Sequence, residues 1–248
     1  MHASPGQPTV KPLTPPTYRY LDIITATFVA VLVVSNIASS AKIVDLGFSL
    51  FGVPMAFDGG TLLFPVSYIF GDILTEVYGL RAARRVIWTG FVTLVATSLV
   101  FFILKLLPGE AAWQSSTGQK AYDAILGGVS SGGIVVASLL AYLAGSLSNA
   151  FSLASIRKIT GEKLLWVRTI GSTLIGELVD TLLFVLVASV LGVFPWEIFI
   201  SLVLTNYLFK CGVEAVMTPF TYGAVGILKC REPEAPPLSS GRETTSGT

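Results

Sequence analysis

Asp72 and Glu76 stand four residues apart inside FPVSYIFGDILTEVYG (64–79), a stretch otherwise dominated by membrane-compatible side chains. A step of four places both carboxylates on one helix face, and Phe64 and Tyr68 extend that face. A second acidic pair, Glu177 and Asp180, lies in GSTLIGELVDTLLF (171–184). A third polar face, Asn206, Lys210 and Glu214, runs through LTNYLFKCGVEAVMTPF (204–220). Asn36 and Asn149 sit in two further apolar segments. A charge at bilayer depth costs about 2.5–3.5 kcal/mol even on the most lenient scale, so these groups must face an interior or a wet cavity. There they can accept hydrogen bonds from a polar ligand, hold a cation or carry a proton. Asp72, Glu76, Glu177 and Asp180 outnumber the one deep lysine, and cytoplasmic arginines reach only Glu76 with ease. The surplus calls for protons, a cation or ligand donors. The structural alternative is an ion-pair lattice, strongest for Lys210 and Glu214, which an i,i+4 pair can neutralise. For the two asparagines it is hydrogen bonding between helices.

The elements that hold these groups read as membrane helices. The chain has 248 residues, 52% hydrophobic and 12% charged, with mean hydropathy +0.74. Soluble domains carry about 25% charged residues. Six apolar segments approach the ~20 residues needed to cross a bilayer: 20–41, 61–77, 86–107, 130–155, 168–191 and 198–228. The second is short, and the fourth and sixth are long enough to require tilt. Segment 45–58, broken by Gly and Pro, reads as an interfacial loop able to cover a cavity. Residues 1–18 and 230–248 read as flexible tails, and the first lacks the apolar region of a signal peptide. Arg81, Arg84, Arg85, Arg157, Lys158, Lys163, Arg168, Lys229 and Arg231 fall on one side of this threading. The positive-inside rule then puts both termini in the cytoplasm. At about 1.5 Å per residue, Asp72 and Glu177 both lie roughly 13 Å from the cytoplasmic edge, near the midplane.

The only histidine is His2, and the two cysteines, Cys211 and Cys230, have no metal-ligand spacing. Histidine-based catalysis, haem and zinc are thereby disfavoured, and no cofactor is expected. No P-loop motif occurs, so ATP is not bound by one.

Phe64-Pro65, Gly71-Asp72, Glu76-Val77-Tyr78-Gly79 and Arg84-Arg85 together resemble the queuosine precursor transporters, also called the vitamin uptake transporter family. Ser35-Asn36, Gly171-Ser172-Thr173-Leu174, Gly176-Glu177, Asp180-Thr181, Asn206-Tyr207, Lys210, Pro219 and Tyr222-Gly223 fit the same pattern, in order, across residues 19–229. The resemblance implies an all-α, six-helix bundle similar to the substrate-binding subunits of energy-coupling-factor transporters. It implies a multi-pass protein of the bacterial inner membrane that imports 7-deazaguanines such as preQ0 and preQ1. It is not an enzyme on this reading, and its partners are lipid and a nucleobase-like small molecule, not nucleic acid.

The chemistry matches that implication. A guanine-like edge presents two adjacent donors, which one carboxylate can accept together. Glu177 is the first choice for that role, with Asn206 or Asn149 meeting the carbonyl edge and Phe64, Tyr68 or Tyr207 stacking. Asp180, Lys210, Glu214, Asp72 and Asn36 complete the candidate lining, and Asp72, Glu76 and Asp180 are the candidates for proton or ion coupling. Autonomous gradient-driven transport is the expectation. Ala26 and Ala30, a small-xxx-small pair, keep an ATP-driven partner open, as is a homo-oligomer. An intramembrane aspartyl protease using Asp72 and Asp180 is the enzyme alternative.

Overall fold

The protein was analysed as a computed structural model, which describes residues 18–50, 53–130, 133–161, 164–192 and 195–233. Helix α1 (Leu21–Ala41) leads into a hairpin of β1 (Ile43–Leu50) and β2 (Val53–Asp58). A 3-10 turn at Gly59–Leu62 precedes α2 (Phe64–Val77) and α3 (Gly79–Leu106). Then come α4 (Ala111–Ser116), α5 (Gly118–Ser130), α6 (Gly133–Thr160), α7 (Leu165–Val190) and α8 (Phe199–Lys229).

Among the described residues, five segments are long and apolar enough to span a membrane: Leu21–Ala38, Gly79–Leu106, Gly118–Thr160, Leu165–Val190 and Leu202–Arg231. The sixth expected span is the exception. Helix α2 has 14 residues, about 21 Å, too short for a hydrocarbon core about 30 Å thick. Pro65 lies in its first turn, and Gly79, at φ +81°, turns the chain directly into α3. So α2 is a short polar helix held among longer ones.

The bundle has a basic end. Glu232 accepts hydrogen bonds from the backbone N–H groups of Arg19 (2.8 Å) and Tyr20 (2.6 Å) and from the Tyr78 hydroxyl (3.0 Å). This stitches the start of α1, the end of α2 and the residues after α8 together. Glu232 is therefore buried against the bundle, whereas Cys230 and Arg231 before it are exposed. Burial, and then the hydrogen bond to Glu232, hold the Tyr78 phenol well above its ordinary pKa. The far end carries the hairpin, α4 and α5.

Two regions fold where the sequence suggests connections. Segment 45–58 belongs to the antiparallel hairpin, irregular in register between Asp45 and Ser49, with Gly47 at φ +73°. The membrane-spanning architecture is helical throughout, as expected, and the hairpin is an addition to it. The alternation Leu46, Phe48, Leu50 against Asp45, Gly47, Ser49 is a strand pattern. Helices α4 and α5 occupy the outside connection. The α4 N-cap, Glu110, accepts from the Trp113 N–H (2.9 Å), and hydrogen bonds from the Ala112 and Trp113 backbone lower its pKa. Helix α5 joins the bundle through Tyr122, which donates to the Phe101 carbonyl (2.7 Å), and Ser40, which donates to the Ile125 carbonyl (2.7 Å).

Helix α7 shows how the bundle is solvated. Its buried side is Arg168, Thr169, Ser172, Thr173, Glu177, Asp180 and Thr181, whereas Leu174, Ile175, Leu178, Leu182 and Leu186 are exposed. Polar residues face inward and leucines outward, the reverse of a water-soluble helix. The protein is a multi-pass membrane protein, and lipid covers the leucine side.

Candidate functional site

Three polar layers cross the interior, from the basic end toward the far end. Nearest the basic end, Glu76 is 1% exposed and almost enclosed by cations. Arg168, also 1% exposed, grips it with Nε (2.6 Å) and Nη2 (3.2 Å). Lys229 Nζ donates to it (3.3 Å), and Arg157 lies 3.8 Å away while donating to the Glu76 carbonyl (3.0 Å). Arg168 comes from the first turn of α7, Arg157 from the last turn of α6 and Lys229 from the end of α8. One carboxylate thus closes that end, as a buried pair with good two-pronged geometry should.

One turn inward on α2, Asp72 is fully buried and accepts from the Asn149 amide of α6 (3.1 Å). Among the described residues, Asp72 Oδ2 and Asn149 Oδ1 are buried with no hydrogen-bond partner, and the Thr173 hydroxyl and both Glu214 carboxylate oxygens are buried beside one another. Glu214, 2% exposed, is the strongest charged neighbour of Asp72.

The third layer is centred on Lys210. Its ammonium donates to Asp180 Oδ2 (2.5 Å) and lies 3.3 Å from Glu177 Oε2. The lysine therefore pairs across helices with α7, rather than with Glu214 on its own helix. Tyr68, buried, sits among Glu177, Asp180, Glu214 and Tyr142.

Close helix packing makes these contacts reachable. A Cβ on Gly145 would lie 2.6 Å from the Asp180 Cβ, and one on Gly176 would lie 2.7 Å from the Asn149 Cβ. The two glycines let α6 and α7 approach until Asn149 and Asp180, one turn apart, both enter the core. Gly90 does the same on α3, where a Cβ would meet the Tyr142 hydroxyl at 2.6 Å. Tyr142 crosses there to donate to the Ile87 carbonyl (3.1 Å).

Two cavities follow the same helices. The inner one, about 30 Å³, is lined by Ser67, Tyr68, Tyr142, Ser146, Asn149 and Asp180, among others. It has room for a water or two. The outer one, about 410 Å³, lies toward the far end and includes Asn36, Lys42, Ser98, Ser138 and Phe184. Its size falls within the ~300–1,000 Å³ of small-molecule pockets, yet it lacks the carboxylates. Leu32 and Asn36 on α1, Tyr142 and Ser138 on α6, and Asp180 and Phe184 on α7 line the inner and outer cavity respectively. This outer space, the vestibule, lies about one helical turn farther from the basic end than the inner cavity.

The expected residues divide accordingly. Asp72, Asn149, Glu177, Asp180, Lys210, Glu214 and Tyr68 come together. Glu76 belongs to the closed ion cluster. Asn36 lies in the vestibule, accepting from Ser138 (3.1 Å) and donating to the Leu32 carbonyl (2.9 Å). Tyr207 donates to the Leu174 carbonyl (3.2 Å) and is half-buried between α7 and α8. Asn206 is half-buried on α8. Phe64 opens α2, and its side chain lies outside the described residues, as does Lys163. Ala26 and Ala30 are exposed on α1. Tyr142, Ser146 and Thr173 enter the interior unanticipated, and Arg168 is a cytoplasmic arginine that reaches Glu76. The spacing Ser138, Tyr142, Ser146, Asn149 is a helical stripe that could have shown the first two.

A family model described as "Putative vitamin uptake transporter" matches residues 58–224, which hold every residue of the three layers except Lys229. The chain belongs to the vitamin uptake transporter family. It is 32% identical over 166 residues to the "Probable queuosine precursor transporter" of Bacillus subtilis (strain 168), covering 66% of this chain and 70% of that one. It is 25% identical over 191 residues to the "Queuosine precursor transporter" of Escherichia coli (strain K12), covering 76% and 80%. The "Probable queuosine precursor transporter" of Haemophilus influenzae is 26% identical over 168 residues, 67% of each chain. No solved structure matches the chain. Membership in this family supports a transporter rather than an enzyme.

Proposed function

We propose that the protein imports 7-deazaguanine precursors of queuosine, such as preQ0 and preQ1, across the bacterial inner membrane as an autonomous, gradient-driven transporter. The observation that carries this reading is the Lys210–Asp180–Glu177 bridge beside Asn149 and Tyr68, inside a bundle whose outside is leucine. The relatives' names supply the substrate class. The interior supplies groups able to recognise it: a carboxylate for the paired donors, an amide for the carbonyl, and a tyrosine ring for the flat face.

Substrate enters the vestibule from the far end, taken as the outside because the basic end carries the cytoplasmic charge bias. The inner cavity, about 30 Å³, is too small for a bicyclic base. Binding therefore separates Tyr142 and Leu32 from their neighbours and frees Glu177 from part of its bond with Lys210. Asp72 and Asp180 are held by different partners, Asn149 and Lys210, an arrangement unlike the shared-proton dyad of an aspartyl protease.

Uptake of radiolabelled preQ0 or preQ1 by proteoliposomes holding the purified full-length chain is the test. Entry without ATP or other proteins is the expected result. Binding without entry would replace the reading with that of a substrate-binding subunit requiring an ATP-driven partner. Peptide cleavage abolished by Asp72→Ala, with no binding of either base, would replace it with the protease.

A further inference from the structure

We propose that Asp72 and Glu214 form a proton site, a buried acid pair that holds one proton while the core is closed and releases it when the core opens. The idea deepens the transport reading above and rests on it for the role of the proton, though not for its presence.

The pair stands out by elimination. Glu76 has Arg168, Lys229 and Arg157, and Glu177 and Asp180 share Lys210. Among the described residues Asp72 has a neutral amide on one oxygen and no partner on the other, and the buried Glu214 carboxylate has the neutral Thr173 hydroxyl beside it and no cation. Both residues are at least nine-tenths buried.

The charged and titratable groups around the pair come from four helices. On α2 these are Glu76, one turn toward the basic end, and Tyr68, one turn the other way. On α6 they are Asn149 and Tyr142, the first of them neutral. On α7 they are Glu177, Asp180 and Arg168. On α8 they are Lys210 and Cys211, on the turn before Glu214. The two cations, Arg168 and Lys210, are engaged by other carboxylates. The atoms left over around the pair, Asn149 Oδ1 and the Thr173 hydroxyl, are an acceptor and a group that can donate once.

Two ionised carboxylates cannot share a dry site without a counter-charge, and the lower-energy state leaves one of them protonated. The proton forms an O–H bond on one carboxylate oxygen when water reaches the pair from the vestibule side. That bond breaks, to water, when the core opens toward the basic end. No oxidant or co-reactant is involved. Closure with both acids ionised would bury two uncompensated charges, so the core closes only when protonated. That condition ties proton movement to substrate movement. It also sets this pair apart from Glu76 and Asp180, whose charges are already matched in the closed state.

Two measurements on the full-length protein decide the matter. The first is infrared difference spectroscopy of the purified wild type during a pH titration. A protonated-carboxyl C=O band present at neutral pH and removed or shifted by Asp72→Asn and by Glu214→Gln, but not by Glu197→Gln, is expected. Its absence from the wild type overturns the proposal, even if neither variant folds. The second is substrate accumulation in proteoliposomes under an imposed pH gradient. One coupled proton and a gradient of one unit support about tenfold accumulation. Asp72→Asn and Glu214→Gln should bring that ratio to about one. Undiminished accumulation in either variant, or a wild type that equilibrates substrate without accumulating it, overturns the proposal. If the wild type moves no 7-deazaguanine at all, the transport reading fails, and the infrared band still decides whether the proton is there.

Discussion

Glu177 and Glu76 are both buried glutamates, yet they stand in opposite situations. Glu177 shares a lysine with Asp180 and borders the cavity layer; Glu76 is enclosed by Arg168, Lys229 and Arg157. Glu177→Gln should therefore weaken binding of preQ1 about 10–100-fold, the loss expected for a charge-assisted hydrogen bond of about 1.5–3 kcal/mol, with little change in melting temperature. Glu76→Gln should do the reverse. It leaves the Arg168 guanidinium buried without its partner, a loss of about 3–5 kcal/mol, read as a lower thermal midpoint in detergent. Equilibrium binding and thermal unfolding on both variants separate the cases, and a binding defect in Glu76→Gln equal to that of Glu177→Gln would refute the division. The acids themselves were legible in the sequence because charge inside an apolar run is conspicuous. Their partners were legible only for Glu76, which cytoplasmic arginines reach with ease. For Lys210 the spacing offers Glu214 on its own helix as the structural alternative, whereas its ammonium pairs with Asp180 and Glu177 on α7. Spacing along one helix says nothing about which neighbour a long side chain will choose.

At the scale of elements, the α6–α7 contact depends on Gly145 and Gly176. Gly176→Ala adds a methyl 2.7 Å from the Asn149 Cβ, a distance that real side chains do not tolerate. The helices must separate, at a cost of about 1–3 kcal/mol for overpacking, and Asn149 is carried away from Asp72. The expected outcome is a lower melting temperature together with weaker substrate binding; a variant with wild-type values for both would show that the packing has slack. The residues after α8 give a second case. Glu232 accepts two backbone N–H groups at the start of α1 and the Tyr78 hydroxyl. A chain ending at Pro233 should melt like the full chain, and one ending at Lys229 should lose about 1–2 kcal/mol, the usual worth of a helix N-terminal cap. Equal midpoints for the two truncations would refute the stitching role. The long helices were legible from hydropathy alone, whose boundaries fall within a few residues of the observed ones except at the start of α3. The short elements were not. Helix α5 and the hairpin are too brief to show as spans, and the polar composition of 230–248 conceals one residue that anchors the chain.

For the whole molecule, polar layers inside and leucine outside mean that the transport proposed above requires the layers to open one side at a time. The vestibule of about 410 Å³ lies about one turn beyond the inner cavity along α1, α6 and α7, while the Glu76 cluster shuts the basic end. This geometry corresponds to a protein closed at the centre and accessible from the far side. Cysteine accessibility checks both the orientation and the asymmetry. In a chain with Cys211 and Cys230 replaced by serine, Ser138→Cys in the vestibule should react with a membrane-impermeant maleimide added outside intact cells. Arg85→Cys, exposed at the basic end, should react only after the membrane is opened. Saturating preQ1 should slow labelling at Ser138→Cys, because the occupied core draws α1 and α6 together over the substrate, and should leave Arg85→Cys unchanged. Labelling of Arg85→Cys from outside would invert the topology. Equal labelling of Ser138→Cys with and without substrate would mean that the vestibule is a fixed groove in the lipid-facing surface, and the alternating movement assigned to it would have to be sought between other helices.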